Sequence, residues 1–117
     1  DDIIEAYRLY DEKNADSITS VCEVDHSPLW SMILPKDGSL KEFRKNLKSI
    51  PRQKLEKYYR INGAIYIRKL DYIGDEVIIK DSNEYAYIMD RRRSVDIDTI
   101  DDFKLAEFYY RDSSNFQ

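Results

Sequence analysis

The sequence predicts a single α/β domain, and three observations carry that expectation. An amphipathic helix pattern over residues 2–13 runs into a buried-strand pattern at Ile18–Val24. Strand composition returns at Tyr58–Ile67 and at Tyr85–Met89. A further short strand, Arg93–Thr99, ends in an acidic corner and leads directly into a last helix.

In the first helix Ile3, Ile4, Tyr7 and Tyr10 recur at helical spacing with Glu5, Arg8 and Glu12 between them, and Asn14-Ala15-Asp16 ends it. The β-branched and small residues of Ile18–Val24 fit a strand buried on both faces, with Cys22 in the core. Asp25-His26-Ser27-Pro28 breaks the strand, and Leu29–Leu34 reads as a second extended run that stops at Pro35-Lys36-Asp37-Gly38, a β-hairpin excursion. Lys and Arg cluster through 39–57 while apolar residues are sparse, so residues 26–58 read as a β-rich arm whose few apolar side chains are best covered by a second copy of the chain. Within Tyr58–Ile67 the Gly63 of Asn62-Gly63 marks a bulge or a close backbone approach. Leu70–Gly74 reads as one helical turn, Val77–Ile79 as a short strand, and the last helix as Ile100–Arg111 with a frayed polar tail.

At 117 residues the chain is long enough for one core. The net charge of −4, from 23 acidic and 19 basic residues in mixed order, argues against holding nucleic acid by backbone neutralisation. No apolar run reaches the length of a membrane span, and the lone Cys22 has no intramolecular disulfide partner; together these point to a reducing, cytoplasmic setting. The chain opens on Asp1-Asp2 and runs at once into a helix, which reads as a piece of something longer.

The acidic corner concentrates the chemistry. In an extended strand Asp96 and Asp98 share one face with Cα atoms about 7 Å apart, close enough for one Mg²⁺ to lie between them, while Val95 and Ile97 turn into the core. Thr99 with Asp102 three residues on forms a capping-box pattern for the last helix. The bland alternative for Asp-x-Asp is a solvated strand end. Arg52 and Arg60 each offer a bidentate fork to a carboxylate or phosphate, and their alternative is a surface ion pair. His26 reads as a loop residue, Ser17, Ser20 and Cys22 lack a neighbouring base, and the Arg91–Arg93 triplet reads as a solvated strand entry. Gly38, Gly63 and Gly74 are isolated, so the 117 residues contain no glycine-rich phosphate loop.

Val21-Cys22-Glu23, His26-Ser27-Pro28-Leu29, Pro51-Arg52-Gln53, Tyr59–Ile67, Tyr87-Ile88-Met89 and Ser94–Thr99 together resemble the C-terminal half of an acylneuraminate cytidylyltransferase. The resemblance implies a Rossmann-like nucleotidyltransferase domain, residues 1–117 being its C-terminal part with 26–58 as a dimerisation arm. It implies CTP and a nine-carbon 2-keto sugar acid as substrates, a CMP-sugar and pyrophosphate as products, and Mg²⁺ as cofactor. By the same resemblance Asp96 and Asp98 hold the metal, and Arg52 and Arg60 contact the carboxylate side of the sugar in a partner's site. Asn62 and Tyr66 then lie at the sugar pocket. Trp30 and Ile79-Lys80 depart from the pattern, which leaves legionaminate or a related acid open as the sugar. A fragment without the phosphate loop is expected to be inactive alone. The expectation from a different class is a non-catalytic oligomerisation module in which Asp-x-Asp is only a helix cap.

Overall fold

The computed structural model describes residues 1–48, 56–72 and 83–114. Arg52, the expected strand at 77–79, the pair Ile79-Lys80 and Gly74 lie outside the described residues. The chain divides into two compact units, one formed by Asp1–Glu23 with Arg60–Gln117 and the other by Val24–Tyr59.

In the first unit, helix α1 (Asp2–Glu12) starts at Asp1, whose carboxylate accepts from the Ile3 N–H. It stops because Asn14 adopts φ +46°, and Ala15 N–H then donates to Tyr10 O while Asn14 N–H donates to Asp11 O. That pair of bonds is a Schellman close, with asparagine in the left-handed position that usually takes glycine. It turns the chain straight into strand β1 (Ser17–Glu23).

β1 is the centre of a three-stranded sheet of order β2-β1-β3, with β2 at Tyr59–Arg68 and β3 at Glu84–Met89. β3 runs parallel to β1 in the register Ile18↔Tyr85, Ser20↔Tyr87, Cys22↔Met89. β2 runs the other way: Ile65 N–H reaches the Ser20 side chain and Lys69 N–H reaches Asp16 O, so residue numbers rise on one strand as they fall on the other. The sheet is therefore mixed. Ala6 of α1, Ala15 and Ile18 form the buried cluster, with Leu9, Tyr10, Ile65, Ile67 and Tyr87 packed on it. A small residue at position 6 lets the helix lie close on the central strand.

Gly63 sits at φ +71°. Asn62 bonds to Ser20 while Ile65 and Ile67 pack beside Ile18, so residues of opposite parity on β2 face the same side of the sheet. Only an extra residue in the strand allows this, and the positive φ of Gly63 supplies the bulge. A Cβ there meets nothing within 4 Å, so the cost of a side chain is conformational rather than steric. Gly63→Ala in the full-length protein is expected to lose about 1–2 kcal/mol in urea denaturation; an unchanged midpoint would mean that the bulge does not need glycine.

Two sequence expectations change. The Arg93–Thr99 strand is absent: Arg91–Arg93 is a 3-10 turn and 94–97 is irregular, with Ile97 exposed and Val95 half-buried rather than both in the core. Its alternation imitates a strand, but no neighbour pairs with it. The last helix, α3, runs over Ile100–Ser114 and takes in three residues expected in the tail. Leu70–Tyr72 is a 3-10 turn, as the local pattern expected.

The second unit also differs from its expectation. No strand occurs among the described residues of 24–58, so the arm is not β-rich there. Pro28–Trp30 is a 3-10 turn begun by Ser27, residues 31–35 are irregular, and α2 spans Lys41–Lys48. Leu40, Phe43 and Leu47 stand three and four apart, which is the helical period hidden among the basic residues. Leu29, Met32, Ile33, Phe43 and Leu47 line an open cavity of about 630 Å³ within this unit.

Candidate functional site

The acidic segment begins where β3 ends. Asp90 caps the 3-10 turn, accepting from Arg92 N–H at 2.8 Å, and the Arg93 and Ser94 N–H groups donate back to Asp90 O and Arg91 O. An Asp two residues before a backbone donor is the signal for this turn, and it lies in the sequence at Asp90-Arg91-Arg92. At the far end the capping box forms as expected: Asp102 N–H donates to the Thr99 hydroxyl at 3.3 Å and Thr99 N–H donates to the Asp102 carboxylate at 2.8 Å. The Thr99 hydroxyl (2.6 Å) and Asp98 N–H (3.3 Å) converge on the same carboxylate oxygen. Those donors, the Thr99 hydroxyl first, hold the Asp102 carboxyl below the usual range.

Asp96 and Asp98 therefore sit on an exposed loop held at both ends. Asp2, Asp16, Asp101, Asp102 and Asp112 all give their carboxylates to internal partners. Among the described residues, nothing takes up the side chains of Asp96 and Asp98. No cluster of three or more His, Cys, Asp or Glu side chains able to share an ion occurs among those residues either. Two exposed carboxylates two residues apart are donors of the class Mg²⁺ takes, a hard cation that keeps several waters and is commonly held by one or two carboxylates together with substrate phosphates.

Two of the sequence-derived residues meet this loop through Ser94. The Arg60 guanidinium donates to Ser94 O at 3.2 Å, and the Asn62 amide donates to the Ser94 hydroxyl at 2.8 Å. Arg60 is exposed and spends one donor here, whereas Asn62 is buried at 8% exposure. Tyr66 lies beyond the bulge, half-exposed, with the Arg68 guanidinium 6.0 Å from its ring centre. It faces away from Ile65 and Ile67 and is not joined to the Arg60, Asn62 and Ser94 group by these bonds.

The arginine triplet is exposed, as expected, but forms a 3-10 turn rather than the entry to a strand. Arg93 clamps Asp2 with two donors at 2.8 and 3.1 Å, and the Tyr87 hydroxyl donates to the same carboxylate at 3.0 Å. Arg93 above all, with Tyr87, lowers the Asp2 carboxyl; burial first and Asp2 second raise the Tyr87 phenol. Arg92 pairs with Asp112 and lies 5.1 Å from the Tyr109 ring centre, both on α3. The turn before the loop is thereby fastened to α1 on one side and to α3 on the other. Sequence reasoning missed Ser20, Ser94, Asp2 and Arg93; a serine between Ile18 and Cys22 in an otherwise buried strand was the available signal for the first.

No protein-family model matches the chain. Over 101 residues, 86% of its length, it is 34% identical to an N-acylneuraminate cytidylyltransferase of Streptococcus agalactiae. The chain is a homologue of the acylneuraminate cytidylyltransferases. It is also 39% identical over 57 residues, 49% of its length, to a CMP-N,N'-diacetyllegionaminic acid synthase of Campylobacter jejuni. A post-translational flagellin modification protein B of Campylobacter coli is 27% identical over 113 residues, 97% of the chain. This homologue spans 24% of the length of the first two proteins and 48% of the third.

Proposed function

We propose that the protein carrying this chain is a cytidylyltransferase that joins CTP to a nine-carbon 2-keto sugar acid of the sialic or legionaminic type, releasing pyrophosphate. Two carboxylates left unspent beyond the carboxyl end of a parallel strand are the observation that carries the proposal. In open α/β sheets that end is where ligands bind. The names of the streptococcal and Campylobacter jejuni relatives support the same chemistry and leave both sugars in view.

In this mechanism Asp96 and Asp98 would hold Mg²⁺, which would supply positive charge against that building on pyrophosphate as the sugar hydroxyl attacks the α-phosphate. Arg60 keeps donors free for a carboxylate, and its bond to Ser94 O fixes the fork beside the acidic loop. Tyr66 offers an exposed ring to the sugar. Arg52 completes the carboxylate site from a second subunit.

The chain is the C-terminal part of a Rossmann-like domain and dimerises through 26–58. Trp30, Ile33 and Leu34, all largely exposed in the second unit, support a covered surface there. Exposed Ile3, Ile4 and Tyr7 on α1 and Ile100, Phe103 and Phe108 on α3 support a larger parent that buries them. Among the described residues no helix is long and apolar enough to cross a membrane.

Full-length protein supplied with CTP, Mg²⁺ and either N-acetylneuraminate or legionaminate is expected to release pyrophosphate and form the CMP-sugar with at least one acid. The isolated 117 residues, which have no glycine-rich phosphate loop, are expected to release none. A full-length protein inert toward both acids, or an active fragment, overturns the respective part of the proposal.

A further inference from the structure

We infer that Asn62 is a positioning residue for the acidic loop, acting through a buried hydrogen-bond chain, rather than a group that touches the sugar. The inference rests on the proposed metal-holding role of Asp96 and Asp98.

The amide of Asn62 has two acceptor sites and two donors. Its oxygen accepts from the Ser20 hydroxyl at 2.6 Å and from Ala64 N–H at 3.3 Å. Its nitrogen donates to the Ser94 hydroxyl at 2.8 Å and faces the Met89 sulfur at 3.4 Å. All four are used, and Ala64 N–H, which can only donate, dictates which end of the amide is oxygen. Nothing remains for a ligand.

The bonds form one directed series. Ile65 N–H donates to the Ser20 hydroxyl at 2.8 Å, Ser20 to Asn62, Asn62 to the Ser94 hydroxyl, and Ser94 to Asp90 O at 2.8 Å. Ser20 is fully buried and Ser94 is 3% exposed, so water cannot replace a missing partner cheaply. The series starts at Ile65 on β2, passes through Ser20 of the central strand and ends on the residue that caps the turn into the loop. Ser94 is two residues from Asp96 and four from Asp98. Asn62 and Arg60 grip the two sides of Ser94, one its hydroxyl and the other its carbonyl. Two loop carboxylates without partners of their own need an external means of holding one geometry, and this series supplies it.

The test uses full-length protein and Mn²⁺, read by the loss of its free electron-paramagnetic-resonance signal, with no substrate present. Ser94→Ala and Asn62→Ala are expected to weaken Mn²⁺ binding by about 10- to 100-fold, the range for partners that orient metal ligands. They are expected to lower kcat without raising KM for the sugar acid, and Ser94→Thr, which keeps the hydroxyl, should recover most of the binding. Ile67→Val, in the α1-packed cluster, controls for lost stability alone and should leave Mn²⁺ binding as it is. Unchanged Mn²⁺ affinity in both alanine variants, or a raised KM with intact metal binding, overturns the inference and returns Asn62 to the sugar pocket. Asp98→Asn separates the two levels. If it abolishes Mn²⁺ binding while both alanine variants bind Mn²⁺ as tightly as the unaltered protein, only the positioning role fails; if it leaves binding intact, the metal site and the inference fail together.

Discussion

Asp98→Asn in the full-length protein is expected to lower kcat by about 10²-fold or more, the range for removal of a principal electrostatic group. The substitution keeps the size and shape of the side chain and removes a charge. Asp98 itself contributes little to the fold: its side chain is exposed, and the bond that anchors this residue runs from its backbone N–H to Asp102. Thermal unfolding should therefore be nearly unchanged while turnover falls, and Asp96→Asn should behave alike. The neighbouring Asp102 is the internal control. Asp102→Asn weakens the capping box and should cost stability, typically about 1 kcal/mol for a lost helix cap. Near-normal rates for Asp98→Asn at saturating Mg²⁺ would sink the metal assignment and leave the loop as a helix cap alone.

Ile18→Ala is expected to destabilise the full-length protein by about 2–5 kcal/mol, as for other fully buried aliphatic truncations. Ile18 is fully buried near the start of the central strand, clustered with Ala6 of α1 and Ala15, with Ile65 and Ile67 of β2 packed on that cluster. The larger members of that cluster are only partly buried, and the alanines have no atoms with which to fill a void. Collapse around the cavity is correspondingly poor. Because whole domains are stable by only about 5–15 kcal/mol, the loss should show as a clear fall in the denaturation midpoint. A loss below about 1 kcal/mol, smaller than any ordinary large-to-small core change, would show that α1 does not rest on β1 in solution. The two substitutions are opposites: one removes function and spares the fold, the other removes stability at a residue remote from the acidic loop in sequence.

Where local pattern and long-range packing agree, the chain was legible in advance. The helical period of Ile3, Ile4, Tyr7 and Tyr10, the strand pattern through Cys22, and the Thr99 to Asp102 spacing each specify a structure that needs no distant partner to be recognised. The glycine in Asn62-Gly63 announced a bulge for the same reason, since its meaning is carried by one backbone angle. Homology agreed with the motif pattern on the family.

Where the pattern is local but its meaning is not, the sequence misled. Val95 and Ile97 alternate like a strand, yet a strand exists only when another pairs with it, and here the chain turns instead at Asp90. In 24–58 the basic residues mask the period of Leu40, Phe43 and Leu47, so the composition suggests a β-rich arm where a helix forms.

The sequence by itself determined α1, the strands β1, β2 and β3, their order and the capping of α3, because their patterns are carried by neighbours within about four residues. Only the tertiary structure decided that β2 runs against β1, that Arg93 is spent on Asp2, and that Asn62 faces Ser20 and Ser94. Those partners lie tens of residues away along the chain. Their pairing follows from the strand register and from the parity shift at Gly63, which no local spacing encodes.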